Sequence, residues 1–374
     1  MNKILFISHG LESSGWGVAA RGYINAMDAA GLDVVPRFVT LGSANHKLSP
    51  RLQELSEKDS KDCNICIQHL LPHHMDYNGR FDRNIGLAVY ENLGAGMSNW
   101  QAKINCMDEL WTSSRYAEEC FMSMGVTIPI EVIPHAFDMS IYSKSYEPIS
   151  HPELDGNFVF YTVADLNRRK DIGSLIKAFH LAFTPNEPVR LLIKTSKFGL
   201  APSQCAEALS RDCKAIKEGM KLYRRVEDYS DEVIIPEFLE EEELMRVHAT
   251  GHCFVSTSHG EAWNQPLFDA ASMEKFCIHT QQDSEIPHYD YSAGIPVPCH
   301  DTISFGSEGF FELGSSREIY SQVEPHVLAS IIRNVYENRD NTKYIKMCQN
   351  NAMTNQRYSF DNVGNHIKTL LEKN

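Results

Sequence analysis

Two carboxylates that flank the start of a helix are the residues of this sequence best suited to chemistry. Glu261 lies in a polar loop after an apolar strand predicted at 252–258, and Asp269 follows eight residues later on the helix that the loop opens. Pro266 fits the first turn of that helix, where a missing N–H costs nothing. The free amides of residues 265–268 can then face an anion with the helix dipole behind them. Because the carboxylates can accept hydrogen bonds from hydroxyl groups, the segment predicts a site for a nucleotide sugar.

Residues 261–270, which read Glu-Ala-Trp-Asn-Gln-Pro-Leu-Phe-Asp-Ala, resemble a known motif. It is the E-x7-E region of retaining glycosyltransferases with the GT-B fold, most closely glycosyltransferase family four, which usually reads E-G-F-G-L-P-x-x-E-A. In that family the first Glu lies by the donor sugar and the second binds the ribose diol. The resemblance implies these roles for Glu261 and for Asp269, which is one methylene shorter. It also implies donor contacts for Asn264, Gln265, Pro266 and Leu267.

A different interpretation of this segment needs no ligand. Glu261 would then cap a helix, and Asp269 would lie on a solvated face. The residues alone leave both interpretations open.

A second apolar strand, beginning near residue 158, ends in a basic loop before an amphipathic helix predicted at 172–183. The loop resembles the family element G-R-L-x-x-x-K-G, whose cations hold the donor diphosphate. Lys170 falls on the family Lys, whereas Asp165 stands where the family has Arg. The cations that can replace that Arg are Arg168, Arg169 and, on the next strand, Lys194. The alternative is a basic loop that is merely solvated.

The turn after a strand at 233–236 is the third donor segment that the resemblance implies. In the family this turn forms the wall for the nucleotide base, often through backbone groups. The corresponding residues are Glu237, Phe238 and Leu239. Phe238 as a core side chain is the alternative.

The amino-terminal strand, predicted at 3–8, is followed by Gly15, Trp16 and Gly17 before a helix predicted at 19–30. Glycines permit a close approach of the backbone. The loop is no dinucleotide fingerprint, since it lacks the third Gly and the downstream acidic residue. In GT-B enzymes the first loop closes on the donor, so the resemblance implies donor contacts for these three residues. Trp16 packed into its domain is the alternative.

Polar side chains also follow further predicted strands of this amino-terminal half. His69, His73 and His74 follow a strand end, where related enzymes place a His against the donor sugar or the acceptor. His69 is the catalytic candidate; the acceptor-side candidates are His73, His74 and Glu91, which lies near another strand end. The alternative for each His is a satisfied buried polar group.

The order of strands and helices runs twice along the chain, which predicts an α/β protein. With 374 residues the chain exceeds a typical single core. We expect two Rossmann-like, doubly wound parallel-sheet domains that face each other across a cleft, the GT-B arrangement. The expected bounds are 1–140 for the acceptor-side domain, 155–350 for the donor-side domain, and 351–374 for a terminal helix that crosses back to the first domain.

The formal net charge of −14 bears on the partners of the protein. An acidic surface disfavours nonspecific nucleic-acid binding and gives no reason to expect docking on anionic lipid. No apolar run approaches the roughly 20 residues of a membrane-spanning helix. The amino terminus leads into a predicted strand and lacks a signal-peptide pattern, so we expect a cytoplasmic protein.

Ten cysteines are scattered along the sequence, which is typical of reduced thiols. Cys63 and Cys66 form the one close pair, but they lie inside a predicted strand and no second pair or nearby His completes a zinc site. The 16 histidines show no metal-binding spacing. We therefore expect core thiols and no bound metal.

The hypothesis that follows is glycosyl transfer with retention from a nucleotide diphosphate sugar, without a permanently bound cofactor. Lys170, Arg169 or Lys194 would stabilise the departing diphosphate, while Glu261 holds hydroxyls of the donor sugar and His69 shapes the site. The acceptor would be a carbohydrate, a glycolipid precursor, a small metabolite or, disfavoured by charge, a modified base in nucleic acid. The alternatives are a sugar-nucleotide epimerase, a glycosyl phosphorylase and a noncatalytic sugar-nucleotide binding protein.

Overall fold

The computed structural model describes residues 2–40, 46–94, 99–197, 199–281, 294–303 and 318–373. The chain divides into two compact units. The first comprises Met1–Ile141 and Gln356–Asn374, and the second takes most of the chain between Tyr142 and Asn355. Each unit contains a six-stranded sheet, and each is Rossmann-like.

The first sheet is parallel and has the strand order β2-β1-β3-β4-β5-β6. Its strands are β1 (Lys3–Ser8), β2 (Asp33–Phe38), β3 (Ile65–His69), β4 (Arg83–Leu87), β5 (Glu109–Thr112) and β6 (Ile130–Val132). The helices described between them are α1 (Gly15–Ala29), α2 (Pro50–Glu57), α3 (Trp100–Ile104) and α4 (Arg115–Met124). Every residue of β3 is buried, as a parallel sheet covered on both faces requires.

The second sheet has the order β12-β11-β10-β7-β8-β9, again parallel. Its strands are β7 (Phe158–Asp165), β8 (Val189–Ser196), β9 (Val233–Ile235), β10 (Cys253–Ser256), β11 (Phe276–Thr280) and β12 (Ile295–Val297). A separate antiparallel pair consists of β13 (Cys299–Ile303) and β14 (Ile319–Val323). The helices are α5 (Ile172–Ala182), α6 (Pro202–Met220), α7 (Glu241–Thr250), α8 (Gln265–Ser272), α9 (Pro325–Glu337) and α10 (Thr342–Asn355).

The last helix, α11 (Phe360–Glu372), belongs to the first unit and packs on α1. Val363, Ile367 and Leu371 join the core beneath the first sheet. The backbone of α11 approaches α1 closely, because a Cβ at Gly364 would lie only 2.0 Å from the Ala26 carbonyl oxygen. Gly364 therefore allows the two helices to touch.

We expect Gly364→Ala to lower the free energy of unfolding by about 2 kcal/mol, since the added methyl group overpacks a helix contact. The matched control is Gly219→Ala in α6, where an added Cβ meets nothing within 4 Å. That variant should gain up to about 1 kcal/mol from helix propensity. Urea unfolding of both variants checks the pair, and a stabilised Gly364→Ala would contradict the contact.

Two further properties were expected from the composition. No helix in the described ranges is long and apolar enough to cross a membrane. All ten cysteines are free thiols, and Cys63 and Cys66 are both buried in the core of the first unit.

Candidate functional site

The basic loop and the acidic loop of the second unit meet through three side chains. Lys170 Nζ donates a hydrogen bond to Glu261 Oε1, and Arg169 Nη1 lies 3.2 Å from the same oxygen. Arg169 Nη1 also donates to the Gly260 carbonyl at 2.5 Å. The Glu261 side chain is only 8% exposed and that of Lys170 14%. The structure thus brings together three predicted site residues, which we call the charged triad.

Sheet topology places the triad at the carboxyl ends of two strands. β7 pairs directly with β10, so the loops that follow these strands lie side by side. Hydrogen bonds join the loops: the His259 amide donates to the Arg169 carbonyl at 2.7 Å, and Thr257 Oγ1 donates to the Asp171 carbonyl at 2.8 Å. Ligands of open α/β sheets bind at this end of the strands.

Asp171 holds the end of the basic loop in a left-handed backbone conformation, with φ of 43°. The family element that this loop resembles has Gly at this place, and Gly adopts such a conformation without strain. The carboxylate compensates by capping α5, since Asp171 Oδ1 accepts from the Ser174 amide at 3.3 Å. The Asp–Gly difference therefore preserves the path of the loop.

The electrostatics of the triad favour an anion. Burial alone would raise the pKa of Glu261, but the charges of Lys170 and Arg169 lower that pKa to about 2. Glu261 is therefore ionised at neutral pH, and the triad carries one net positive charge. A largely buried net charge of this sign attracts a phosphate group more strongly than a solvated lysine does.

The start of α8 corrects one expectation. Asn264 caps the helix in a left-handed conformation, with φ of 59°, and Asn264 Oδ1 accepts from the Leu267 amide at 3.4 Å. The Phe268 amide donates to the Asn264 carbonyl at 3.1 Å, and Pro266 has no N–H. The expectation that amides of residues 265–268 face an anion was therefore wrong for all but Gln265, because the cap uses the others.

Asp269 is buried, only 2% exposed, so the interpretation as a solvated helix residue was wrong. Its Oδ1 accepts a hydrogen bond from Tyr142 Oη at 2.6 Å. The Tyr142 ring also packs edge-on against Phe268. Burial raises the pKa of Asp269 to about 7 in spite of the bond from Tyr142. The carboxyl thus titrates in the neutral range.

We expect Asp269→Asn to change how stability depends on pH. A carboxyl whose folded pKa is raised from 3.8 to about 7 favours folding most at low pH and loses that advantage as the pH rises through 7. The asparagine variant cannot ionise, so at pH 8 it should exceed the wild type by up to about 4 kcal/mol, with the excess vanishing near pH 4. Urea unfolding across this pH range measures it; a pH-independent difference would contradict the raised pKa.

The predicted base-binding turn is exposed at two of its three residues. Phe238 is 52% exposed, so the interpretation of Phe238 as core was wrong. Lys194, which is buried, places its Nζ 5.9 Å from the centre of the Phe238 ring. Burial lowers the pKa of Lys194, while Asp165 and Glu237 oppose that shift. Lys194 therefore neighbours this turn.

In the first unit, Gly15, Trp16 and Gly17 form the first turn of α1 and are not a loop before it. The helix begins earlier than predicted because Ser14 caps it, accepting from the Gly17 amide at 3.4 Å. A Cβ at Gly17 would lie 1.9 Å from the Glu12 carbonyl oxygen, so only glycine fits there.

His69 and Trp16 belong to a group of stacked rings. Their ring centres lie 4.9 Å apart with 24° between the planes, and the His9 ring meets the Trp16 edge at 6.2 Å. His69 is buried, and burial, His135 and His9 lower its pKa well below the usual value, so the imidazole is neutral. Packing of Trp16 into its domain, the alternative interpretation, accounts for its stacking. His9 was not among the residues predicted from the sequence, although a polar residue directly after β1 was a usable signal.

The acceptor-side candidates lie in other segments of the first unit, and His74 adds to burial in lowering the pKa of His9. His73 and His74 are in a 3-10 turn, Pro72–His74, and His73 Nδ1 accepts from Trp100 Nε1 at 3.0 Å. Glu91 accepts at its carbonyl from Tyr116 Oη at 3.1 Å. Over the described residues, no group of three or more His, Cys, Asp or Glu side chains could hold a metal ion.

Comparison with solved structures identifies the fold. A trehalose-6-phosphate structure from E. coli bound with UDP-2-fluoro glucose matches with a TM-score of 0.65 at 10% identity, over 100% of this chain and 99% of that one. The chain has the GT-B fold. Sucrose-phosphate synthase from Thermosynechococcus elongatus has the same GT-B fold, with a TM-score of 0.63 at 13% identity, over 100% and 99% of the two chains.

A third GT-B structure concerns enzymatic glycosyl transfer with retention by trehalose-6-phosphate synthase. It matches with a TM-score of 0.63 at 10% identity, over 100% of this chain and 99% of that one. No protein-family model and no curated protein sequence matches the chain. At such identities the likeness shows the GT-B fold and does not show the reaction.

Proposed function

We propose that this protein is a retaining glycosyltransferase that uses a nucleotide diphosphate sugar as its donor. The observation that carries the proposal is the charged triad of Lys170, Arg169 and Glu261 at the carboxyl edge of the second sheet. Solved GT-B structures named for bound UDP-2-fluoro glucose and for glycosyl transfer with retention support it. Membership in family four is the finer proposal, which rests on the spacing of Glu261 and Asp269.

The triad suits the chemistry of diphosphate departure. As the bond between the anomeric carbon and the diphosphate breaks, negative charge grows on the leaving oxygen, and preorganised cations lower the barrier most when they are shielded from water. Glu261 holds Lys170 in place, and the Gly260 carbonyl holds Arg169. When the diphosphate binds, Lys170 and Arg169 contact both the diphosphate and Glu261. The Glu261 carboxylate can then also accept hydrogen bonds from hydroxyl groups of the donor sugar.

Asp269 is proposed to meet the ribose, as the family resemblance implies. Tyr142 Oη donates a hydrogen bond to Asp269 Oδ1. The diol must therefore use the second carboxylate oxygen or displace the Tyr142 hydroxyl. Donor contacts by Gly15, Trp16, Gly17, Lys194, Glu237, Phe238 and Leu239 stay predictions, as do the catalytic role of His69 and the acceptor contacts by His73, His74 and Glu91.

The acceptor is proposed to be the hydroxyl group of a carbohydrate or of a glycolipid precursor. The net charge of −14 disfavours nucleic acid, because its phosphate backbone would be repelled.

A panel of nucleotide sugars tests the proposal in two steps. Thermal shift first finds the donor, since a ligand that binds only the folded state raises the melting temperature. Proton NMR of the reaction with a mixture of acceptor sugars then reads the configuration at the anomeric carbon. Transfer with retention is the expected result. Donor binding with neither transfer nor hydrolysis would instead support a noncatalytic binding protein, and inversion would contradict the mechanism.

A further inference from the structure

Several buried polar atoms of the first unit have no hydrogen-bond partner among the described residues, and three of them lie together where β1 and β3 end. They are Ser8 Oγ, His9 Nε2 and His69 Nδ1, and their side chains belong to residues that are 0%, 2% and 1% exposed. Buried polar groups are nearly always paired in folded proteins, because an unpaired group loses its bonds to water and gains nothing in return. We call these three residues the polar trio.

The polar trio lies at the place in the first sheet where ligands of α/β folds bind. Ser8 ends β1 and His69 ends β3, and the two residues are direct partners in the parallel register. His9 follows Ser8. The strand order β2-β1-β3 reverses between β1 and β3, and such a reversal opens a crevice at the carboxyl ends of the strands.

The hydrogen-bonding roles of the trio can be assigned in part. His9 Nδ1 lies 3.1 Å from the Val39 carbonyl oxygen, which can only accept, so Nδ1 carries the proton. Burial lowers the pKa of both His9 and His69, which keeps the imidazoles neutral. His9 Nε2 is therefore an acceptor, and the Ser8 hydroxyl can donate and accept. Paired donors and acceptors of this kind suit hydroxyl groups.

The charges near the trio do not suit an anion. Glu12 is the acidic group that acts electrostatically on His9. Arg21 donates from Nη1 to the carbonyls of Gly10 and Glu12, at 2.9 and 2.7 Å, so that nitrogen is directed at the backbone. The Glu12 carboxylate would repel a phosphate group, and the neutral imidazoles would not offset that repulsion. An uncharged ligand would not be repelled.

We propose that Ser8, His9 and His69 bind the hydroxyl groups of an uncharged sugar or polyol, and that this ligand is the acceptor substrate. The assignment of acceptor rests on the proposed function; the binding site does not. Trp16 is partly exposed while it stacks on His69, so its ring offers the apolar surface on which sugar rings pack.

Two variants each remove one of the unpaired ring nitrogens and place an amide group near the position of the other ring nitrogen. In His9→Asn the amide nitrogen replaces the imidazole N–H that bonds to Val39, and no group replaces Nε2. In His69→Gln the amide lies near the position of Nε2, and no group replaces Nδ1. The matched control is His248→Asn in the second unit. The asparagine amide replaces Nδ1 as the partner of the Tyr161 hydroxyl. The substitution removes Nε2, which is buried and likewise has no hydrogen-bond partner among the described residues.

The readout is the imidazole nitrogen resonances of 15N-histidine-labelled full-length protein, titrated with glucose, myo-inositol, glucose 6-phosphate or inorganic phosphate. We expect glucose or myo-inositol to shift the His9 and His69 resonances saturably and to bind about tenfold more weakly to His9→Asn and His69→Gln. His248→Asn should bind as the wild type does, and all variants should keep the wild-type melting temperature within the range of that control.

Three results would overturn the proposal. Tighter binding of either phosphate probe would show an anion site, no shift by either neutral probe would show no site, and equal loss in His248→Asn would show a general effect of removing a buried imidazole. The nucleotide-sugar panel is run on the same samples. If a neutral probe binds at the trio but no nucleotide sugar binds, the trio is a sugar site and the proposed function fails.

Discussion

Glu261→Ala is expected to lower the free energy of unfolding by about 3 kcal/mol at pH 7. The substitution leaves Lys170 and Arg169 close together in a largely buried place without the carboxylate that now neutralises one of them. Breaking a buried ion pair from one side costs more than the pair itself contributes, because the remaining charges stay desolvated. Urea unfolding of the variant and the wild type measures the loss.

An anion should restore much of that stability. Pyrophosphate can occupy the space between the two cations, so it should raise the melting temperature of Glu261→Ala more than that of the wild type. The control is Glu218→Ala on the exposed surface of α6, where no comparable loss or rescue is expected. A loss below about 1 kcal/mol, or a loss without rescue, would mean that the triad is not the anion site.

The lowered pKa of Glu261 also predicts how the free energy of unfolding decreases at acidic pH. Because the folded pKa of Glu261 lies near 2, against 4.5 for the free group, its stabilising effect is complete above pH 4.5. It is lost as the pH falls towards 2, and the full difference amounts to about 3 kcal/mol. The Glu261→Ala variant should lack this part of the pH dependence, which the unfolding series at low pH would show.

Lys170→Met is expected to lower turnover by about 10³-fold, equivalent to about 4 kcal/mol of transition-state stabilisation. The methionine keeps the length of the side chain but removes the charge that meets the leaving diphosphate. Because that charge counts most when the bond breaks, kcat should fall more than KM rises. Steady-state kinetics with the donor found in the panel measures both constants.

The control for this substitution is Lys214→Met. Lys214 lies on α6, and its side chain is 67% exposed. The substitution therefore removes the same charge, but from the protein surface. Turnover of the control should equal that of the wild type. If Lys170→Met also kept near-normal turnover on that donor, the assignment of the diphosphate to the basic loop would be wrong.

Much of the fold follows from local sequence patterns. Runs of β-branched and aromatic residues predicted the strands. Because β7 pairs directly with β10, the loops that follow these two strands lie at the same edge of the sheet. Lys170 and Glu261 are 91 positions apart, yet strand order alone brings them within hydrogen-bonding distance. The start of α1 was misplaced because the capping of Ser14 outweighs the low helix propensity of two glycines.

Other features of the site depend on tertiary contacts that no local pattern encodes. Tyr142 and Asp269 are 127 positions apart in the sequence, yet their side chains are hydrogen-bonded. This contact helps to enclose the carboxylate, which would otherwise be solvated. Asn264 and Asp171 stand where the family pattern has glycine, and only the backbone angles show that both residues adopt the left-handed conformation. The capping of α8 by Asn264 uses amides that a helix start would otherwise offer to an anion.

The proposed function depends most on the binding of a nucleoside diphosphate to the charged triad. Isothermal titration of UDP, ADP, GDP, CDP and TDP into the wild type and Lys170→Met tests this directly. At least one of them is predicted to bind the wild type and to bind the variant about tenfold more weakly or worse. Binding of none of them, or binding that Lys170→Met leaves unchanged, would contradict the account.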